Sequence, residues 1–503
     1  MRRAALRALD RDSPLWVKDS MKRLLLLSLI VTACAPAATR APAAPRTLAS
    51  VADSVIRTPP LDRTHWGILV VDAATGRELY RHDARAHYIP ASNTKLVVTA
   101  VALGTLGPEY RYRTPVRAHG MSGDSVQAIV VHGTGDPTLS ARFHRQPLAA
   151  IDSVARAIAA TGIRAAQRLV IDVSAFEDER INGSWEVGDL PWSYAPPTSA
   201  FGIEEGTFRI VVQPGPGVGA PAVIRVLDTD AQPVSASILT DTAGARTRLT
   251  IDYMQRTDTV FITGHIAVDA AADTSTLAVT RPEQYAAHVL REALARRGVS
   301  IAGIEIVDDS VTAAQLRTGG TVIHEIVSPP MRDIVAAILQ PSQNWIAEQV
   351  LKTLGAVYRG SGSWDAGLEV EREYLVHTAG LDSMSFSLRD GSGLSAQNLL
   401  APEAIIRLLA HARTQPWADD YRAGMAQPGL QESTLANRLR ALEGRMFAKT
   451  GTIANVNSLS GYLVTDDGRE LLFSILTNGS GRSPGAVRAG IDRIAETAAG
   501  GGS

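Results

Sequence analysis

The segment ASNTKLVVTA, residues 91–100, places a lysine three residues after a serine. Elsewhere the chain uses arginine for positive charge, since only five of its 50 basic residues are lysines, at positions 18, 22, 95, 352 and 449. Pro90 precedes the segment, and apolar residues recur from Leu96 to Leu103, which predicts a helix from Ser92 to about Gly104. Helix residues i and i+3 share a face, so Ser92 and Lys95 are expected side by side.

This pairing suggests nucleophilic catalysis. A serine hydroxyl is a weak nucleophile until a base takes its proton. Lysine can be that base when burial lowers its pKa, whereas arginine stays protonated. The free N–H groups of a helix N-terminus can also hold a developing oxyanion. A surface lysine beside a capping serine would give the same spacing, so the pair alone is weak evidence, although Ser92 is the only serine three residues before a lysine.

A second motif, Lys449-Thr450-Gly451-Thr452, lies on a predicted strand. Gly451 would let a ligand approach the backbone closely. The hydroxyls of Thr450 and Thr452, with the charge of Lys449 beside them, suit a substrate carboxylate. Taken alone, Lys-Thr-Gly is more often an ordinary turn.

A third motif, Ser342-Gln343-Asn344, lies at the junction of two predicted helices. Ser342 could relay a proton, and Asn344 could hydrogen-bond an amide carbonyl. A capping serine at the start of a helix would be the simpler interpretation if the motif stood alone.

Ser-x-x-Lys, Ser-x-Asn and Lys-Thr-Gly in this order form the signature of penicillin-recognising serine enzymes. Ser342 follows Ser92 by 250 residues. Such a long gap resembles the D-alanyl-D-alanine carboxypeptidase/endopeptidase family, also called class C low-molecular-mass penicillin-binding proteins. Five further segments are similar to motifs of that family, and the resemblance runs from about residue 50 to 497. These segments are HGTGDPTL at 132–139, YAPPTSA at 194–200, VSPP at 327–330, NWIAE at 344–348 and DGSGLS at 390–395.

The resemblance implies a serine D-Ala-D-Ala carboxypeptidase, with DD-endopeptidase activity as a further expectation. It implies that Ser92 attacks the penultimate D-alanine carbonyl, that Lys95 is the general base, and that Ser342 and Lys449 shuttle the proton to the leaving D-alanine. Asn344 would hold the substrate amide. The remaining implied groups are the carboxylate-binding hydroxyls of Thr450 and Thr452, with Gly451 between them, and an oxyanion hole from the N–H groups of Ser92 and Thr452.

The implied partners are peptidoglycan pentapeptides or cross-linked stem peptides, and β-lactams as covalent inhibitors of Ser92. No cofactor or metal is implied. Two alternatives stay open at this point. One is a β-lactamase or esterase on the same fold, which would need a dedicated deacylating base. The other is a non-catalytic cell-wall scaffolding lipoprotein.

Composition sets broader limits. The 503 residues are 45% hydrophobic and 20% charged, with a net charge of −1, which is typical of a folded globular chain and gives no reason to expect nucleic acid. The alternation of predicted strands and helices indicates an α+β fold. By resemblance, this is the transpeptidase domain of penicillin-binding proteins and β-lactamases, an antiparallel sheet flanked by helices and split by an inserted, mainly β or mixed region.

The domain organisation is predicted on the same basis, with one or two domains in the insert. The predicted segments are a signal region (1–34), an Ala/Pro-rich tether (35–60), a catalytic domain in two parts (61–109 and 321–498), the insert (110–320) and a tail (499–503).

Export is predicted from the N-terminal segment. Residues 21–33, MKRLLLLSLIVTA, have the basic start and short apolar run of a signal peptide, and Met21 is an alternative start. The only cysteine, Cys34, follows VTA as in a bacterial lipobox, which predicts a periplasmic lipoprotein, with the outer membrane as the plausible anchoring site. A plain signal peptide, cut near Ala37 with Cys34 discarded, would also export the chain.

Overall fold

The computed structural model describes residues 47–253, 258–481 and 483–501. The predictions for the signal region 1–34, Cys34 and Met21 therefore lie outside the described residues. The helices are α1 (Leu48–Arg57), α2 (Lys95–Thr105), α3 (Ala141–His144), α4 (Ala149–Ala160), α5 (Pro282–Ala295), α6 (Ser310–Thr318), α7 (Met331–Leu339), α8 (Asn344–Arg359), α9 (Trp364–Glu373), α10 (Pro402–Ala412), α11 (Ala418–Ala423) and α12 (Pro484–Ala499).

The strands are β1 (His65–Asp72), β2 (Glu78–His82), β3 (Arg113–His119), β4 (Ser125–His132), β5 (Ala165–Asp172), β6 (Thr207–Gln213), β7 (Val223–Val226), β8 (Val234–Asp241), β9 (Arg248–Tyr253), β10 (Val260–Ala267), β11 (Asp273–Ala278), β12 (Ser300–Val307), β13 (Thr321–Val327), β14 (Phe386–Ser387), β15 (Leu399–Leu400), β16 (Met446–Ile453), β17 (Val456–Val464) and β18 (Glu470–Asn478).

A five-stranded antiparallel sheet joins the two ends of the described chain, in the order β16-β17-β18-β1-β2. β1 is buried on both faces, since Ile68 and Val70 belong to the core formed with α1 and α12, and Leu69 and Val71 to the core formed with α2, α8 and α10. Burial on both faces explains why this strand is a continuous apolar run rather than an alternating one. The predicted α+β class, with an antiparallel sheet flanked by helices, is confirmed.

The first helix corrects the predicted tether. Residues 48–57, assigned to the end of the Ala/Pro-rich tether, form α1 and pack on α12. Apolar residues of α1 recur at helical spacing and are buried, and the Thr47 side chain accepts a hydrogen bond from the backbone of Ser50. The buried apolar stripe and the capping residue stabilise a helix here, whereas the Ala/Pro content of the preceding residues predicted a tether.

Between β2 and α7 the chain forms three further sheets around a separate core. The largest is mixed, in the order β12-β5-β4-β3-β13, with β5 parallel to both β4 and β12. β13 pairs antiparallel with β3, although residues 321–327 fall just inside the predicted second part of the catalytic domain. The two smaller sheets have the orders β8-β10-β9 and β11-β6-β7. Within the described ranges, no helix has both the length and the apolarity needed to cross a membrane.

Candidate active site

Ser92 lies in a single 3₁₀ turn, Ala91–Thr94, that leads directly into α2. The sequence predicted an α-helix beginning at Ser92. In a 3₁₀ turn the side chains at i and i+3 eclipse one another, so the Ser92–Lys95 pairing is retained. Two contacts hold the turn against the sheet: Ser458 Oγ donates to the Pro90 carbonyl at 2.8 Å, and Asn93 Nδ2 donates to the Lys449 carbonyl at 2.9 Å.

Lys95 is fully buried and contacts three oxygen atoms. Its Nζ is 3.0 Å from Ser92 Oγ, 2.6 Å from Asn344 Oδ1 and 2.6 Å from the Ser392 carbonyl. An uncharged amine has two N–H donors and one lone pair. Because the amide oxygen and the carbonyl can only accept, they take the two donors, and the lone pair is left facing the serine hydroxyl.

Burial lowers the pKa of Lys95 to about 7, and the negative charges of Asp390 and Glu348 limit that fall. A large fraction of the amine is therefore unprotonated near neutral pH. Lys449 is also fully buried, and burial together with the charge of Lys95 holds its pKa well below the usual value. The site thus contains two amines of reduced basicity.

The Ser392 carbonyl is positioned by a buried carboxylate, Glu348 of α8. Glu348 accepts the backbone N–H of Ser392 at 2.7 Å and of Gly391 at 3.0 Å. Burial and the nearby Asp390 raise the pKa of Glu348 to about 7. Asp390 itself accepts hydrogen bonds from the backbone N–H groups of Gly393 and Ser395. The segment DGSGLS is therefore a loop whose backbone N–H groups bind the carboxylate of its own Asp390 and that of Glu348.

β16 passes so close to the turn that carries Ser92 that only glycine fits at position 451. A Cβ there would lie 2.1 Å from Ser458 Oγ, 2.8 Å from the Pro90 carbonyl oxygen and 3.0 Å from the Ser92 nitrogen. This close approach brings the backbone of Thr452 to the side of the turn that carries Ser92.

The two threonines of β16 have different surroundings. Thr452 lines the cleft above Ser92, and its hydroxyl contacts the Gly451 carbonyl at 2.8 Å. The Thr450 hydroxyl donates to Thr434 Oγ1 at 2.8 Å and is largely buried. Thr434 therefore adds a second hydroxyl beside Thr450.

The junction of α7 and α8 supplies Ser342 and Asn344. Ser342 has a φ of +67°, a conformation that costs energy for a residue with a Cβ and is often retained at functional positions. Gln343 caps α8, accepting from the Ile346 N–H at 3.2 Å. Asn344 donates to the Tyr194 carbonyl at 2.7 Å, while its oxygen contacts Lys95.

These elements enclose a cleft of about 430 Å³. Ser92, Ser342, Asn344 and Thr452 line it, and Lys95 and Lys449 lie fully buried behind it. The structure thus brings the three sequence motifs together. One wall comes from the long segment between β2 and α7, through Glu186, Asp189 and Tyr194.

The family model for the D-Ala-D-Ala carboxypeptidase 3 (S13) family matches residues 48–499. The chain belongs to this family. It is a serine DD-carboxypeptidase, a hydrolase, as the resemblance of the motifs predicted.

A D-alanyl-D-alanine carboxypeptidase of an Actinomadura species is 35% identical to this DD-carboxypeptidase over 464 residues, covering 89% of this chain and 84% of the relative. A penicillin-sensitive carboxypeptidase A from Dictyostelium discoideum is 25% identical over 456 residues, covering 83% and 84% of the two chains. The crystal structure of penicillin binding protein 4 from Haemophilus influenzae superimposes with a TM-score of 0.77 at 19% identity, covering 89% of this chain and 98% of that one, which shows the shared fold.

Several groups of this DD-carboxypeptidase site were not assigned from the sequence. The sequence contained Glu348, Asp390 and Tyr194 within family-like segments, without a role for any of them. Asn93 and Thr434 were not singled out at all. Their signal is weak because each acts through a backbone group or a neighbour distant in sequence, and no local pattern reveals such a contact.

Proposed function

We propose that Ser92 is the nucleophile and Lys95 the general base of this DD-carboxypeptidase. The observation that carries the proposal is the 3.0 Å contact between Lys95 Nζ and Ser92 Oγ, made by a fully buried amine whose pKa is lowered to about 7. Lys95 takes the hydroxyl proton as Ser92 Oγ bonds to the penultimate D-alanine carbonyl carbon of a stem peptide. The resulting oxyanion is stabilised by the N–H groups of Ser92 and Thr452, each contributing about 3 kcal/mol.

The tetrahedral intermediate collapses with cleavage of the C–N bond. Ser342 and Lys449 pass the proton to the nitrogen of the leaving D-alanine, which gives an ester on Ser92. Water then adds to this ester and releases the shortened stem peptide. Asn344 holds the substrate amide. Thr452, with Thr450 and Gly451, holds the terminal carboxylate. Cross-linked stem peptides enter the same cleft, which gives DD-endopeptidase activity.

The acidic wall of the cleft defines the acyl side of the substrate. Glu186 and Asp189 line the cleft, and Asp189 accepts a hydrogen bond from the Tyr194 hydroxyl at 2.9 Å. Two carboxylates attract a cationic group and repel an anionic one. Stem peptides with a free side-chain amine are therefore the preferred substrates, and N-acetylation of that amine raises KM.

β-Lactams acylate Ser92 in the same way, because the strained amide takes the place of the D-alanyl peptide bond. One relative is named for its penicillin sensitivity, and a structure of the Haemophilus influenzae protein is complexed with a β-lactam.

The location of the enzyme is proposed from its relatives. Similarity to cell-wall carboxypeptidases supports a periplasmic or extracellular location. Lipidation at Cys34 would anchor the enzyme to a membrane, and loss of membrane association in Cys34→Ser would test it. Residues 110–320 would be the region inserted between the two parts of the catalytic domain.

The test of the nucleophile is intact-mass and peptide mass spectrometry after penicillin treatment. We expect one adduct, located on Ser92, and its loss in Ser92→Ala. Ser342→Ala is the matched control, since it removes a cleft hydroxyl but leaves the nucleophile, and it should still be labelled, only more slowly. An adduct that persists in Ser92→Ala would reject the proposal. Release of D-alanine from a pentapeptide tests the activity itself.

A further inference from the structure

A second cavity, of about 650 Å³, lies away from the active-site cleft. We call it the arginine groove. β3 contributes Arg113 and Arg117, α6 contributes Arg317, and the end of β4 contributes His132, while α8 forms the opposite wall around Thr353–Val357. Asn344 and Val357 are 13 residues apart on α8, and at 1.5 Å per residue the groove lies about 20 Å along the helix from the active site.

The alternation of β3 turns two guanidinium groups into this groove. Thr114, Val116 and Ala118 are buried, so residues 113, 115 and 117 face the other way, and all three line the groove. Pairs of arginines at alternate positions of one strand face build a surface suited to a bidentate oxyanion contact.

The groove carries an excess of positive charge. Arg113 pairs with Glu325 at 2.7 Å, and Arg317 pairs with the buried Asp172 at 3.1 Å. Arg117 donates to two backbone carbonyls, of Gly319 and Gly320, at the long distances of 3.3 and 3.5 Å. Three guanidiniums thus face two carboxylates, and neither carboxylate is among the described residues that line the groove.

His132 adds a second indication of a ligand. Its Nδ1 lies 2.9 Å from Asp172 Oδ2, which fixes the ring. Its Nε2 is buried and has no hydrogen-bond partner among the described residues. Buried polar atoms in folded proteins are nearly always paired, so such an atom bordering a cavity marks a place for a ligand group. Thr134, Ser174 and Ser310 also line the cavity, and the hydroxyls of Thr134 and Ser174 contact Thr114 and Asp172.

We propose that the arginine groove binds the C-terminal carboxylate of a second stem peptide on the same wall polymer. This rests on the proposed function, because both the substrate and the shortened product of a carboxypeptidase end in a carboxylate. The groove has a volume typical of ligand sites. Each site would hold a C-terminal carboxylate, the active-site cleft that of the substrate and the arginine groove that of the second stem peptide. A polymer held at both sites would gain effective concentration without any new contact at Ser92.

The test measures binding to the penicillin-acylated enzyme, whose cleft is occupied. The probe is the shortened stem peptide, either with a free C-terminal carboxylate or with a C-terminal amide. We expect the carboxylate form to bind and the amide form to bind at least about tenfold more weakly. Arg113→Gln/Arg117→Gln should abolish this difference. The milder Arg117→Gln removes only two long contacts to carbonyls, and it should reduce the difference while leaving the fold intact.

Arg168→Gln is the matched control, since Arg168 is an exposed arginine of the same sheet, paired with Glu305 at 2.5 Å, and does not line the groove. It should bind like the unaltered protein. Equal binding of both peptide forms, or unchanged binding in the groove variants, would overturn the inference. Binding of inorganic phosphate without any binding of the peptide would also overturn the inference, because the groove would then be a phosphate site.

The two proposals fail separately. Absence of a penicillin adduct on Ser92 would reject the proposed function. The adduct is measured by mass spectrometry before the peptide-binding experiment begins. Peptide binding to Ser92→Ala, compared with and without the groove substitutions, reports on the groove even in that case. A normal adduct with no carboxylate-dependent binding would reject the groove alone.

Discussion

Lys95 lies between two influences that act on its pKa in opposite directions. Full burial lowers the pKa, while Asp390 and Glu348 raise it, and the result is about 7. An amine left at its usual pKa would be almost entirely charged at neutral pH and could not accept the Ser92 proton. The two buried carboxylates therefore keep the amine basic enough to hold the proton that our proposal has it take from Ser92.

We predict that penicillin acylation accelerates with rising pH through about 7, because the reactive form of Lys95 is unprotonated. Lys95→Arg should acylate at least about 100-fold more slowly, since arginine stays protonated. Stopped-flow acylation rates across pH 5–9 measure both effects. Lys352→Arg is the control, because Lys352 is also buried but contacts Glu179 and Thr198, and its rate profile should keep the same midpoint. A Lys95→Arg protein with the normal profile would exclude Lys95 as the base.

Glu371 gives a pH prediction for stability. It is fully buried on α9, neither carboxylate oxygen has a hydrogen-bond partner among the described residues, and burial holds its pKa well above the ordinary value of 4.5. The folded protein therefore binds a proton here that the unfolded chain releases above about pH 4.5. The contribution of Glu371 to the free energy of unfolding is therefore fully present below that pH and is lost as the pH rises.

Glu371→Gln should therefore raise the free energy of unfolding by more at pH 8 than at pH 5. Urea unfolding at the two pH values measures the difference. Glu369→Gln, on the same helix but exposed, should show no such pH dependence. An equal effect of Glu371→Gln at both pH values would contradict the assignment.

Among single residues, the sequence revealed those at which the chemistry allows only one residue type. Only lysine can be both a cation and a base of this kind, so Lys95 and Lys449 stood out among many arginines. The carbonyl of Ser392 and the carboxylates beneath it did not, because any residue can supply a carbonyl and acidic residues are common. Their importance arises from which atoms the fold brings together.

Among the elements, the contact between β16 and the 91–94 turn decides whether the site can assemble. We predict that Gly451→Ala retains the fold but loses at least about 100-fold in acylation rate, because its Cβ would push the strand from the Ser92 nitrogen. Gly303→Ala is the matched control, a strand glycine whose added Cβ would meet its nearest atom at 3.7 Å. Acylation rates and melting temperatures of both variants check this. Normal acylation by Gly451→Ala would show that the strand can move without cost.

Element type was largely predictable, and element ends were not. The regular apolar spacing after Pro330 predicts a helix over 331–339, and these are the bounds of α7. Apolar spacing also predicts a helix over 364–377, but α9 stops at Glu373 and a π-helical turn follows. Ser92 lies in a 3₁₀ turn because the close approach of β16 constrains the backbone there, a tertiary effect that helical periodicity cannot contain.

The whole molecule depends on pairing distant parts of the chain. β1 pairs with β18, about 400 residues later, while β16 and β17 form a local hairpin in the same sheet. Closing a long loop costs entropy before its contacts form. We therefore predict that amides of the β16–β17 pair become protected before those of β1 during refolding. Pulse-labelled hydrogen exchange with mass spectrometry measures the order, and simultaneous protection of both would contradict it.

The arrangement of the long segment between β2 and α7 was the least predictable part. Its composition predicted a mainly β or mixed region, but not that Glu186, Asp189 and Tyr194 return to form a wall of the cleft. That return depends on contacts such as Asn344 Nδ2 with the Tyr194 carbonyl, which join residues 150 positions apart. No spacing along the chain encodes such a contact.

The burial of the lysines has a practical consequence for handling the protein. Lys95, Lys352 and Lys449 are each fully buried, so the surface of the described part of the chain offers no ε-amine to an acylating reagent such as an N-hydroxysuccinimide ester. Amine-directed dyes and cross-linkers would leave this folded part untouched. The appearance of label on these three positions would report that its interior has opened, with no engineered probe.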